Sequence, residues 1–158
     1  MSAIIRDAEP SDIEAVLRLM AGLAEHEGLS QYLTLTAESL AQYCFGDPVR
    51  AHLLVAVSGE EIVGYATLIP QLSVWAAHEY LLLDDLYVVP AMRGAGVGSM
   101  LMDRVAAVAL ERDADVRWHV ETANTSAQTF YRALGAELRD RYTAYWMRDT
   151  MRRRREKL

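Results

Sequence analysis

Arg93-Gly94-Ala95-Gly96-Val97-Gly98-Ser99 lies between an apolar, strand-like run, Tyr80 to Val89, and a helix-like run, Met100 to Arg112. A strand, a glycine-rich turn and a helix N-terminus in that order build an anion site. Glycines let the backbone approach a phosphate closely, and the first N–H groups of the helix point the same way. The helix dipole adds partial positive charge at that end. The spacing excludes two common phosphate loops. A nucleotide P-loop places Lys and then Ser or Thr after its last glycine, whereas Gly98 is followed by Ser99 and Met100. A dinucleotide fingerprint reads Gly-x-Gly-x-x-Gly, whereas the glycines here are spaced Gly-x-Gly-x-Gly.

Outward from this loop, the 158 residues suit one domain over 1–150, followed by a basic tail, 151–158. Apolar residues make up 52%, enough for a substantial core without disulfides or metals. No apolar run is long enough to cross a membrane, and the first residues lack the pattern of a signal peptide. The single cysteine, Cys44, excludes an internal disulfide and fits a reducing compartment, so a cytoplasmic location is expected. A formal net charge of −6 argues against nucleic acid as the main partner and suits a cationic substrate. Arg152 to Arg155 runs against that balance and reads as a solvated tail.

The remaining elements follow from periodicity and punctuation. Ala3 to Arg6 reads as a strand. Ser11 and Glu14 read as a capping box for a helix whose apolar face is Ile13, Val16, Leu17, Met20 and Leu23. Thr36 caps a second helix, Ala37 to Cys44, and Gly46-Asp47-Pro48 breaks the chain. His52 to Val57 and Glu61 to Ile69 form a hairpin, and Pro70 to Ala77 interrupts it before the strand that carries Asp84-Asp85. After the glycine loop and its helix come a strand at Val116 to Glu121 and a helix at Asn124 to Leu134 with Gly135 past its end. Two short strands, Ala136 to Leu138 and Tyr142 to Met147, complete the order. The expectation is an α/β (α+β) fold, a mixed and mostly antiparallel sheet of about seven strands with about four helices.

A second motif, Asn124-Thr125-Ser126-Ala127-Gln128-Thr129-Phe130-Tyr131 with Leu134-Gly135-Ala136, stands downstream of the loop. Together with Arg93-x-x-Gly96-x-Gly98 it resembles the GCN5-related N-acetyltransferases along nearly the whole chain. Leu23 to Glu27, Leu35 to Leu40, Phe45-Gly46, Val63 to Ala66, Ser73 to Trp75 and Leu83 to Val88 are similar to the diamine (spermidine/spermine-type) subfamily. The resemblance implies acetyl-CoA as co-substrate, no metal, a small amine as acceptor and a homodimer. It implies a coenzyme A site made of Leu86, Tyr87 and Val88, of Arg93, Gly94, Ala95, Gly96, Val97, Gly98 and Ser99, and of Asn124, Thr125, Ser126 and Ala127. Tyr131 falls where these enzymes place a Tyr near the thioester sulfur.

Acyl transfer to an amine sets requirements that these residues can meet. The amine must lose a proton before it attacks, although a free alkylamine has a pKa of about 10.4. A carboxylate can bind the ammonium, and a base or water chain must deprotonate it. The departing thiolate needs a proton. A thiol has a pKa of about 8.5 and a tyrosine about 10, so donation from Tyr131 is uphill by only ~2 kcal/mol before environmental effects. Two acids inside an apolar strand need a cation, a donor or water. Asp84 stands where the subfamily usually carries Glu, one methylene longer, and reads either as the amine's ligand or as a backbone anchor. His26, in place of the usual Tyr, and Glu27 match other substrate-side positions, or else form a solvated helix end. Glu121 lines the same cleft or sits on the surface. His52, His78, His119 and Cys44 show no metal-ligand spacing and read as structural, and Trp75 and Trp118 read as core or loop anchors. Rival readings stay open: an acetyltransferase for protein N-termini, an amino acid or an aminoglycoside, or a non-catalytic acyl-CoA-binding module.

Overall fold

The structure is a computed structural model, and it describes residues 3–140 and 143–156. The described residues divide after His119 into two compact units. In the first, five strands lie in the order β1 (Ile4–Asp7), β2 (His52–Ser58), β3 (Glu61–Ser73), β4 (His78–Val88) and β5 (Asp115–Arg117). The first four pair antiparallel, and β5 runs parallel to β4. Helices α1 (Ile13–His26), α2 (Ala37–Phe45) and α3 (Val97–Glu111) cover this sheet.

Strand alternation sorts the sheet into two buried faces. Leu53, Val55, Tyr65 and Tyr87 join Ile13, Val16 and Met20 of α1 and Leu40 and Cys44 of α2 in one core. The alternate residues Leu54, Ala66 and Leu68 are fully buried on the other face. There a Cβ built on Gly64 would stand 3.4 Å from Leu101 of α3. A bidentate ion pair from Arg6 to Asp12, 2.6 and 3.0 Å, ties β1 to the start of α1.

Several expected boundaries shift, each for a visible reason. Strand β3 runs through Pro70 to Ser73 instead of stopping at Ile69. Strand β2 ends its pairing at His52 opposite Leu68, so among the described residues Pro70 lies where only β4 flanks β3, an edge position that tolerates proline. The cap before α1 is the box of Glu9 and Asp12 around a short 3-10 turn, not Ser11 and Glu14. Thr36 does cap α2, with Ser39 as its reciprocal partner. Helix α3 begins at Val97, three residues early, because left-handed Gly96 occupies the cap. Trp75 is 100% exposed on the β3–β4 turn and anchors no core.

The second unit holds α4 (Thr125–Ala133) and α5 (Arg148–Arg155). Asn124 caps α4, its side-chain oxygen accepting from the Ala127 N–H at 3.0 Å. The basic tail is therefore helical in part, and exposed. Among the described residues the sheet has five strands, against the seven or so expected. Val116 to Glu121 shortens to Asp115–Arg117, and neither Ala136 to Leu138 nor residues 143–147 pair with a strand among the described residues. Tyr142, the start of that last expected strand, lies outside them. Alternation and β-propensity mark a segment that can form a strand, but a ladder also needs a neighbour to supply its hydrogen bonds.

Candidate active site

Strand β4 organises the first unit's candidate site through one irregularity. Leu83 pairs with Leu68 and Asp85 pairs with Thr67, so Asp84 is an extra residue, a β-bulge. Before it, Leu81 and Leu83 are buried on the α3 face. After it, the alternation is reset, and Asp85 shares the α1 face with Thr67, and Tyr87 with Tyr65. The bulge leaves Asp84 exposed and Asp85 half-buried. The Asp85 N–H donates to the Thr67 hydroxyl at 3.0 Å, which fixes the backbone at the reset.

Three carboxylates converge here. Burial, then Asp84, then Glu27 push the Asp85 carboxyl up to about 6, and the Tyr65 hydroxyl opposes them weakly. The Tyr65 phenol is pushed further up than an ordinary tyrosine, first by burial and then by Asp85. Tyr65 is 0% exposed, and its hydroxyl makes no hydrogen bond at standard geometry among the described residues. Of the expected substrate-side residues, the structure thus places Asp84 and Glu27 in one electrostatic cluster. His26 is exposed as the last residue of α1. Asp85 and Tyr65 complete the cluster. The adjacent acids inside an apolar strand were the signal for Asp85. The sequence held no comparable signal for Tyr65, an apolar-looking position in a core strand.

The far end of β4 presents free backbone. Strand β5 pairs with β4 only over Tyr80 to Leu82, so from Leu83 to Val88 that edge of β4 has no neighbouring strand among the described residues. It leads into a 3-10 turn, Pro90–Met92, and then the glycine loop. Gly94 and Gly96 have φ of 77° and 84°, in the left-handed region that only glycine adopts cheaply. Nothing lies within 4 Å of a Cβ built on either, so the loop is open on that side. Val97 is buried and roots the 15-residue α3, whose first turn carries no acidic side chain. Arg93 donates from Nε to the Val88 carbonyl at 3.0 Å, and its guanidinium stands 5.6 Å over the Tyr87 ring. An open loop, a helix N-terminus and no local carboxylate suit a polyanionic ligand such as a pyrophosphate.

Glu121, Asn124 to Ala127 and Tyr131 belong to the second unit. Glu121 is exposed, and its carbonyl accepts from the Asn124 N–H and from Gln128 Nε2. Tyr131 is half-buried, its ring 5.2 Å from that of Phe130, and burial raises its phenol above the ordinary tyrosine value. Burial alone pushes the Cys44 thiol up to about 11, which makes it an inert core group. His52 and His78 face Asp7 and Asp115 at 3.0 and 3.4 Å.

Comparison with known proteins turns this architecture into an assignment. The family model described as Acetyltransferase (GNAT) family matches residues 15–136. The chain belongs to the GNAT acetyltransferase family. It is 36% identical over 143 residues to a thialysine N-epsilon-acetyltransferase of Bos taurus, covering 85% of this chain and 84% of that one. It is 30% identical over 140 residues to a human spermidine/spermine N(1)-acetyltransferase-like protein 1, covering 84% of this chain and 20% of that much longer one. The fold is that of an aminoglycoside acetyltransferase from an uncultured soil metagenomic sample, with a TM-score of 0.79, 17% identity and coverage of 92% and 97%. This GNAT chain is an acetyltransferase, and the subfamily resemblance read from its motifs agrees with these relatives. A non-catalytic acyl-CoA-binding role is set aside accordingly.

Proposed function

We propose that this GNAT enzyme transfers an acetyl group directly from acetyl-CoA to the primary amine of a small molecule of the thialysine, diamine or polyamine type. One observation carries the reading: a single strand, β4, joins an open polyanion loop to a cluster of three carboxylates. The loop suits the negative end of coenzyme A, and the cluster suits an ammonium group.

In this reading Arg93 to Ser99 grip the pyrophosphate, with backbone N–H groups as donors. The unpaired backbone of Leu86, Tyr87 and Val88 takes the pantetheine arm as an added strand. Asn124 to Ala127 contribute further cofactor contacts. Glu27, Asp84 and Asp85 bind the ammonium, with His26 beside Glu27 at the end of α1, and Glu121 is a further acceptor contact that the resemblance assigns. The acidic cluster has two effects on the amine. It attracts the cation, and it also favours the charged, unreactive form, so a base must take the proton before attack. Asp85, poised near neutrality, can accept it at physiological pH. The neutral amine then attacks the thioester carbonyl, the tetrahedral intermediate collapses, and the coenzyme A sulfur leaves. Tyr131 supplies its proton, which its raised pKa keeps in place until the thiolate forms, and regains one as the attacking nitrogen sheds its second proton to leave the neutral amide. No covalent enzyme intermediate and no metal are needed.

The supports for the acceptor class are the acidic cluster and the activities after which the relatives are named. The single domain over 1–150, read from chain length, the cytoplasmic location, read from the single cysteine, and the homodimer, which rests on resemblance alone, form part of the same reading. The test is release of free thiol from acetyl-CoA with polyamines, lysine analogues, aminoglycosides, amino acids and peptides. The expected result is turnover with small diamines or thialysine-like amines. Turnover confined to peptides or aminoglycosides would overturn the acceptor assignment.

A further inference from the structure

The buried Tyr65 hydroxyl makes no hydrogen bond at standard geometry among the described residues, yet Asp85 already acts on it as a looser hydrogen-bond partner. An unpaired buried hydroxyl opposes folding, and phenylalanine would fill the same space without that penalty. Such a group calls for an acceptor close by. The surroundings say which. Tyr65 on β3 pairs directly with Tyr87 on β4, with ring centres 6.1 Å apart. Asp85 follows two residues back along β4 on the same face, its backbone pinned by Thr67. The charged and titratable groups that act on the Asp85 carboxyl are Asp84 on its own strand, Glu27 just past the end of α1, and Tyr65 on β3. The Tyr65 phenol also feels Tyr87 and Glu27. Both carboxylates disfavour charge on Asp85, and Tyr65 favours it.

We propose that Tyr65 is a positioning residue for Asp85: its buried hydroxyl closes a hydrogen bond onto the ionised carboxylate and holds it charged and aimed at the amine. The inference rests on the reading of Glu27, Asp84 and Asp85 as the amine site. Burial keeps the phenol protonated, so Tyr65 acts as a donor and never competes for the Asp85 proton. A donor to the ionised form offsets the repulsion from two neighbouring acids, which an apolar residue at 65 could not do.

The test uses Tyr65→Phe in the full chain, with Asp85→Asn to assign the Asp85 carboxyl resonance. Carbon-13 NMR titration reads Asp85 directly and needs no substrate. In Tyr65→Phe the Asp85 midpoint rises by about one pH unit, the loss of one charge-assisted bond. The KM for the amine rises severalfold near neutral pH, while acetyl-CoA affinity stays as in the wild type. An unchanged Asp85 midpoint in Tyr65→Phe overturns the proposal, whatever happens to turnover. A shifted midpoint in a protein that acetylates no amine supports the Tyr65–Asp85 link and removes the amine-site reading instead.

Discussion

Arg93 reaches back five residues to donate from its Nε to the carbonyl of Val88 at 3.0 Å. This bond closes the end of β4 onto the start of the glycine loop, so the strand edge and the anion loop move as one piece. The guanidinium keeps its remaining donors for a ligand, and its position over Tyr87 limits where they can point. Arg93→Ala removes both the latch and the positive charge. The expected result is a loss of acetyl-CoA affinity of about tenfold or more, in line with a hydrogen bond to a charged group. Calorimetry with acetyl-CoA measures it, and wild-type affinity in the variant would separate Arg93 from the cofactor.

Gly96 allows strain and charge to be distinguished. Its φ of 84° costs any L-residue about 1–2 kcal/mol, yet the space around a built Cβ is open. Gly96→Ala and Gly96→Glu are therefore expected to lose similar stability in urea denaturation. Only Gly96→Glu places a carboxylate at the cap of α3, where the phosphates belong, and it is expected to abolish acetyl-CoA binding while Gly96→Ala retains it in weakened form. Equal affinity of the two variants would move the pyrophosphate elsewhere.

Gly64 marks the opposite situation. A Cβ there would stand 2.8 Å from the Tyr87 carbonyl oxygen and 3.3 Å from Val88, so β3 and β4 meet at a distance that only glycine permits. Backbone cannot swing aside as a side-chain end can. Gly64→Ala is expected to cost about 1–3 kcal/mol of stability and to displace the β4 edge at Tyr87 and Val88. Denaturant unfolding gives the first quantity and the KM for acetyl-CoA the second. A variant with both unchanged would show that the strands part freely.

Much of this site was readable in the sequence because it depends on residues with strict local requirements. Left-handed turns select glycine, so the loop from Gly94 to Gly96 announced itself, as did the cap at Thr36. The sheet from β1 to β4 followed from alternation and turns. The bulge at Asp84 was hidden, because register depends on the partner strand, and it decides which of two adjacent acids is half-buried. Tyr65 was hidden too, since a tyrosine in a core strand looks like packing until its hydroxyl is seen to make no hydrogen bond at standard geometry among the described residues. Among the described residues the stretches expected as strands after residue 135 find no partner, for the same kind of reason: pairing is a property of two segments.

The raised pKa of Asp85 makes stability depend on pH in a predictable direction. An ordinary aspartate titrates near 3.8 and Asp85 near 6, so between these values the folded state holds the proton more tightly than the unfolded chain. Its contribution to stability is present below the unfolded value and declines as pH rises through about 6. Asp85→Asn removes this decline. The variant is expected to be more stable than the wild type at pH 7.5 and to lose that advantage at pH 4, measured by urea unfolding at both. An advantage that is the same at both pH values would mean that Asp85 titrates normally. Asp7 and Asp12 shift the opposite way and act at lower pH in both proteins, so the comparison cancels them.

Tyr131 carries the most direct test of the chemistry. Its phenol sits above the ordinary tyrosine value because of burial, which widens the gap to a coenzyme A thiolate beyond the ~2 kcal/mol of unperturbed groups. Proton transfer is then favourable only as the carbon–sulfur bond breaks and negative charge builds on sulfur. A general acid of this kind contributes to kcat and little to ground-state binding. Tyr131→Phe keeps the ring and loses the proton. The expected outcome is a fall in kcat of about 10²-fold or more, with acetyl-CoA affinity by calorimetry and the KM of the amine near wild type. If the variant instead weakens acetyl-CoA binding and leaves kcat intact, the hydroxyl serves as a cofactor contact, and the thiolate must take its proton from water or from the protonated nitrogen of the tetrahedral intermediate.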